Sequence, residues 1–153
     1  MAAHASARRT VDERALQTNQ VVIISLVSLA FVIGDEAGRW VIVLAGVSMA
    51  IGAAAPGYGP IQLFYRHVLK RFGIVKPDPQ PGDPAPHRFA QTLGAGFLLA
   101  ATVAFFTGAA TAGYVLAAIV LTLALVNLSF HFCAGCFVFL HIARVRGHVR
   151  AVR

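Results

Sequence analysis

From Tyr114 to Ala143 the chain carries no Asp, Glu, Lys or Arg, and the stretch then runs into arginines. A surface helix of a soluble domain needs a polar face, and this run has none to offer, so it reads as a membrane span. The whole chain shares the pattern. Of 153 residues, 58% are apolar and 12% charged, where a soluble domain carries about a quarter charged. The mean hydropathy is +0.71. Charges fall between the apolar runs rather than inside them.

Four such runs can be drawn: Val21 to Ile33, Trp40 to Ala55, Phe89 to Thr107 and Tyr114 to Ala143. A span needs about 20 residues to cross a core of about 30 Å. The first run, about 13 residues, reaches only about 20 Å. Its helix must begin earlier and carry Gln17, Thr18, Asn19 and Gln20 into or beside the bundle, where lipid offers their amides and hydroxyl no partner. The expected fold is an all-α integral membrane bundle of four helices arranged as two helical hairpins, with spans over about 17–34, 40–56, 88–108 and 114–143. A cytoplasmic tail (1–14) precedes one membrane domain (15–146), and a basic tail (147–153) follows it. The first run is followed by Gly34-Asp35-Glu36 rather than a small-x-small cleavage site, so it is expected to be retained.

Lys and Arg set the orientation. They lie in the N-terminal segment (Arg8, Arg9, Arg14), the middle (Arg66, Lys70, Arg71, Lys76, Arg88) and the C-terminal segment (Arg144, Arg146, Arg150, Arg153), whereas the two short turns hold only Arg39. Both termini and the middle are therefore expected in the cytoplasm of a bacterium, with the protein in its inner membrane. Trp40 and Tyr114 would mark the outer interface, and Tyr58 and Tyr65 the inner one. The net charge of +7 is then an orienting charge that meets anionic lipid, not a nucleic-acid footprint.

Residues 61–72 predict an amphipathic helix that either lies in the cytoplasmic interface or caps the bundle. Ile61, Phe64, Tyr65, Val68, Leu69 and Phe72 share one face, opposite Gln62, Arg66, His67, Lys70 and Arg71. The proline-rich stretch 74–87 cannot be helix and reads as a loop. Asp83 would cap the third helix, with Pro84 at its first position. The halves also look alike. Asp12 precedes Gln20 as Asp83 precedes Gln91, and Gly34 precedes Trp40 as Gly108 precedes Tyr114. Two halves entering from one side imply a pseudo-two-fold axis along the membrane normal. Gln20 and Gln91 would face each other across it.

Chemistry can sit at the two cysteines, Cys133 and Cys136. On a continuous helix they share one face at a spacing a disulfide accepts, with Gly135 permitting a kink or close packing. A straight fourth helix places them about 12 to 16 Å below the cytoplasmic interface. Cys136, nearer the cytoplasm, would attack, and Cys133 would resolve. The same geometry separates two polar sets: Cys133 and Cys136 with Ser129, and Asn127 with His131. Asn127 and His131 serve either a site or interhelical hydrogen bonding. Arg88 would snorkel to phosphate or turn inward and lower a thiol pKa.

Several of these residues carry a resemblance. Asp83-Pro84-Ala85-Pro86-His87-Arg88-Phe89-Ala90-Gln91 resembles the D-x-x-P-x-R-F-A-Q signature of the bacterial membrane proteins called domain of unknown function 4395. Asn127 with Phe132-Cys133-Ala134-Gly135-Cys136 is similar to that family's N-x-x-x-x-F-C-x-G-C. The first half departs, since Asp12-Glu13-Arg14 lacks the proline and R-F pattern. The family has no established activity, but members occur with thioredoxin-like or rhodanese-like partners. The resemblance thus implies thiol or sulfur chemistry at Cys133 and Cys136.

Three functions follow as expectations. The first is a thiol-disulfide or persulfide relay working with a thioredoxin-like or rhodanese-like partner. The second is a non-enzymatic accessory subunit of a larger membrane complex. The third is soft-metal binding, Cu or Zn, on the thiolates. No cofactor is implied by any motif.

Overall fold

The computed structural model describes residues 10–55, 58–73, 79–130 and 133–145. The tail before Thr10, the loop residues 74–78 and the basic tail from 146 onward lie outside the described residues. So do Pro56, Gly57, His131 and Phe132.

Four helices are each long and apolar enough to cross a membrane: α1 (Glu13–Ile33), α2 (Asp35–Ala54), α4 (Ala85–Phe106) and α5 (Ala110–Phe130). Between α2 and α4 lie α3 (Pro60–Phe64), which runs into a π-helical turn (Tyr65–Leu69), and β2 (Pro79–Pro81), which pairs antiparallel with β1 (Thr10–Asp12) ahead of α1. A shorter helix, α6 (Ala134–Val145), follows α5.

The helix starts obey local chemistry. Asp12 Oδ1 accepts the Arg14 and Ala15 amide N–H groups at 3.1 and 3.4 Å, and so begins α1 at Glu13. Asp83 Oδ1 accepts the Ala85 N–H at 3.0 Å and begins α4 beside Pro84. Each hairpin turns on a glycine in the left-handed region, Gly34 at φ 82° and Gly108 at φ 83°, where a side chain would be strained.

The fourth span differs from its expected extent. It ends at Phe130 instead of Ala143, and the chain starts a new helix at Ala134. Length is the physical reason: a straight helix over 114–143 would be about 45 Å long, against a core of about 30 Å. The expected interfacial helix is also altered. Its π-turn, closed by a Lys70 N–H to Tyr65 C=O bond of 2.9 Å, splits the apolar face. Ile61 and Tyr65 are buried in the bundle, while Phe64 and Phe72 remain exposed. Tyr65 is thus no interface marker: its hydroxyl donates to Asp12 Oδ2 at 2.9 Å and ties this segment to the start of α1.

The four long helices close a ring in which α1 touches α2 and α5, and α4 touches α2 and α5; α6 docks on α4. Ile23, Val27, Ile42 and Leu98 fill its centre. Between apolar helices in lipid, close approach and dispersion contacts replace the hydrophobic drive. Small residues provide that approach. A Cβ added at Gly38 would stand 2.5 Å from the Ala30 carbonyl oxygen, and one at Gly46 3.2 Å from Leu98 Cβ. At the hairpin ends Tyr114 donates to Asp35, and the Phe105 and Tyr114 rings meet edge-on at 4.9 Å.

Candidate functional site

Cys133 is the residue immediately before α6, and it begins that helix. Its carbonyl accepts the Phe137 N–H at 2.9 Å, the first helical bond, and its Sγ accepts the Cys136 N–H at 3.2 Å. The sulfur thus occupies the place that a Ser or Asp oxygen takes in an N-cap. Among the described residues the helix is interrupted at Cys133, not at Gly135, and both cysteines lie outside the four spans.

Gly135 has a packing role. A Cβ there would lie 2.5 Å from Ala90 Cβ and 2.8 Å from Ala90 Cα, so only glycine lets α6 lie this close on α4. The Phe89 and Phe139 rings meet beside the contact at a 49° tilt, their centroids 5.5 Å apart.

Docking α6 on α4 places the thiols at two adjoining cavities. The inner one, about 100 Å³, is lined by the amides of Asn19, Gln20, Gln91 and Asn127 together with His87, Cys133 and apolar side chains. The outer one, about 300 Å³, is lined by Glu13, Gln17, Asp83, Cys136 and others. Gln20, His87, Asn127 and Cys133 belong to both walls. The pair therefore sits level with the starts of α1 and α4, at one end of the bundle. The depth expected from a straight fourth helix does not hold, because that helix is broken.

The two sulfurs are electrostatically unlike. The Cys136 thiol donates toward Cys133, and the Cys136 and Gly135 backbone N–H groups point at the same sulfur. Together they outweigh partial burial and hold Cys133 down at about 6, from an ordinary 9.0. Cys136 is pushed up by that same hydrogen bond, by burial and by the neighbouring thiolate. Cys133, not Cys136, is the better thiolate, which runs against the expectation that Cys136 attacks.

The structure gathers Cys133, Cys136, Asn127, Gln20 and Gln91 around these cavities. Gln91 is buried, with its amide nitrogen 2.5 Å from where a Gly52 Cβ would be. The expected division into two polar sets fails, since the helix break brings Asn127 to the same walls as Cys133; Ser129 is exposed. Arg88 takes neither expected course. Its Nη2 donates to the Ala53 carbonyl at 3.1 Å, capping the free end of α2. His131 lies outside the described residues. Among the described residues no group of three or more His, Cys, Asp or Glu side chains could hold a metal ion.

Sequence reasoning missed His87, and it brought Asn19 into or beside the bundle without assigning it to the site. Both were within reach of periodicity. His87 lies four residues before Gln91, and Asn19 heads the buried series Asn19, Ile23, Val27, Ala30 along α1.

The fold and site define a class: an all-α multi-pass membrane protein with a thiol pair at the start of a short helix docked on its bundle. The chain belongs to the family described as Domain of unknown function (DUF4395), whose model matches residues 11–144. No curated protein and no solved structure matches it.

Proposed function

We propose that Cys133 and Cys136 form the redox centre of a membrane thiol-disulfide relay that takes electrons from a thioredoxin-like or rhodanese-like partner. The observation that carries this is the N-cap geometry of Cys133, with the Cys136 N–H on its sulfur at 3.2 Å. A structural cysteine pair has no use for a stabilised thiolate beside a second thiol. In the oxidised state a partner thiolate attacks Cys136, which lines only the outer cavity. The Cys133–Cys136 bond breaks and Cys133 leaves as the stabilised thiolate. The partner's second thiol then attacks the mixed disulfide and frees Cys136. The partner ends as a disulfide, and the pair as a dithiol carrying its two electrons and two protons.

The arrangement fits an inner membrane of a bacterium, with both termini, the outer cavity and the segment 60–72 on the cytoplasmic side. There the basic residues meet anionic lipid, and the exposed Phe64 and Phe72 suit an interfacial position. A pseudo-two-fold relation between the halves is supported by three features. The offset that separates Asp12 from Asp83 also separates Thr10 from Pro81, which pair directly in the β1–β2 ladder. It likewise relates the buried pairs Val27 and Leu98, and Ala30 and Ala101. The ring contacts of α1 with α2 and α5 mirror those of α4 with α5 and α2.

The test is a trapping experiment. Disulfide-bonded wild-type protein, mixed with a thioredoxin-like partner that lacks its own resolving cysteine, should hold that partner covalently through Cys136, with Cys133 released as a free thiol. The complex should dissolve in reductant and be absent in Cys136→Ser. A partner that remains bound to the Cys133→Ser, Cys136→Ser double variant would point to an accessory subunit instead.

A further inference from the structure

A relay at a membrane needs somewhere to send its electrons, and the inner cavity offers a place. Its walls join two kinds of surface. On one side stand the amides of Asn19 and Gln91, both buried, with Gln20, Asn127 and His87. On the other stand Ile23, Met49, Leu93, Phe97, Val120 and Leu123. Leu93 of α4 and Leu123 of α5 are cavity residues that are also 40% and 41% exposed on the outside of the bundle. The cavity therefore reaches side chains that also meet the outer surface. Cys133 lines it, and Cys136 does not.

From this juxtaposition we infer that the inner cavity binds the ring of a lipid-soluble quinone, the electron acceptor of the Cys133–Cys136 dithiol. The inference rests on the relay reading above and names its second substrate. The occupant must be apolar enough to arrive through the bilayer, carry acceptors for amide donors, and be reducible by a thiolate; a quinone combines these properties. A single ring draws on both spaces: an apolar cavity of roughly 150 Å³ takes up benzene, and the inner cavity's about 100 Å³ adjoins a further 300 Å³ across the shared residues Gln20, His87, Asn127 and Cys133. The isoprenoid tail would leave between Leu93 and Leu123. Buried amides facing the ring oxygens would strengthen their hold as those oxygens gain charge.

The chemistry balances. The Cys133 thiolate adds to an electron-poor ring carbon, forming a C–S bond while a ring electron pair moves onto oxygen. Cys136 loses its proton and attacks the Cys133 sulfur. The S–S bond forms, the C–S bond breaks, and its electron pair stays with the ring. Two thiols and a quinone become a disulfide and a quinol, and the two thiol protons end on the quinol oxygens. His87, common to both cavities, is placed to pass a proton between them.

The experiment uses the full chain, reduced, in nanodiscs of quinone-free lipid, mixed anaerobically with a one-prenyl benzoquinone. One equivalent of quinone should be consumed per protein, and the peptide bearing both cysteines should become two hydrogens lighter. Cys136→Ser should stall with a visible thiolate–quinone absorption band. Leu123→Trp, which fills the cavity from the lipid side, should slow quinone consumption at least about tenfold, the scale of one lost binding contact, in protein that remains monodisperse. Lasting arylation of both cysteines in place of a disulfide would overturn the inference. So would a pair that is oxidised by a soluble disulfide but leaves the quinone untouched, an outcome under which the relay itself stands. A pair oxidised by neither reagent removes both readings.

Discussion

Cys133 should alkylate with a pH profile unlike that of a free thiol. With the sulfur held at about 6 rather than 9.0, its thiolate fraction at pH 7 is about 0.9 against about 0.01, a gain of about 90-fold. Thiolate nucleophilicity falls with basicity at a Brønsted slope of about 0.4–0.5, which returns a factor of about 20 over that interval. The net advantage at pH 7 is thus only about fourfold. At pH 5 the fractions are about 0.09 and 0.0001, and the advantage after the same correction is about 40-fold. Acid conditions separate the two cases best.

The assay is iodoacetamide labelling of reduced protein in nanodiscs, quenched in time and read by peptide mass from pH 4.5 to 9.5. The Cys133 rate should rise through about pH 6 and then level, with Cys136 lagging at every pH. Cys136→Ala removes the largest cause of the lowering, the thiol donor, and leaves the backbone N–H groups. Its Cys133 inflection should move upward. A Cys133 rate that climbs only above pH 8, or a Cys136 that labels first, would refute the N-cap argument.

Three other outcomes follow from packing and hydrogen bonds. Gly135→Val puts a Cβ 2.5 Å from Ala90 Cβ; α6 should lift from α4, lowering thermal stability by about 1–3 kcal/mol and returning the Cys133 alkylation inflection toward that of a free thiol. Tyr65, buried and bonded to Asp12, has its phenol pushed up to about 12, from 10.0, by burial first and then by that bond. Its contribution to stability should be complete below about pH 10 and lost as pH rises through 12, with phenolate absorbance showing a late-titrating component that Tyr65→Phe diminishes. Arg88→Gln should cost about 1 kcal/mol in melting experiments through the lost bond to Ala53, while Cys133 labelling keeps its profile; a shifted profile would mean that the guanidinium tunes the thiol after all.

What could be read from the sequence was what local physics decides. Span number follows from apolar length. The starts of α1 and α4 follow from Asp12 and Asp83, whose carboxylates can satisfy amide N–H groups wherever the helix goes. The left-handed glycines at 34 and 108 mark the hairpins for the same reason. Misplaced features depend on distant partners. Nothing near Arg88 in sequence shows that the end of α2 stands within its reach. The pairing of β1 with β2 is equally non-local. The break at Cys133 is an intermediate case. Excess length in the run 114–143 announced that something must bend, but the place is fixed by α6 finding Ala90. That displacement moved the thiols to the bundle end, made Cys133 the better thiolate, and joined Asn127 to them.

The proposed two-fold relation also explains why one half carries the chemistry. Helix α3 begins after Gly59 as α6 begins after Cys133, and Gln62 stands where Cys136 does. In the first half the Gln62 side chain turns back to accept the Gly59 N–H at 3.1 Å. A Cβ at Gly59 would stand 2.8 Å from the Cα of Gly52. No side chain, and hence no thiol, fits at that cap, because α3 meets α2 backbone to backbone exactly where the residue would project. The second half moves its close contact two residues on, to Gly135 against Ala90, which frees position 133 to bear a side chain beside the cavities. Glycine placement, more than the presence of cysteine, therefore decides which half of the bundle can hold a reactive cap.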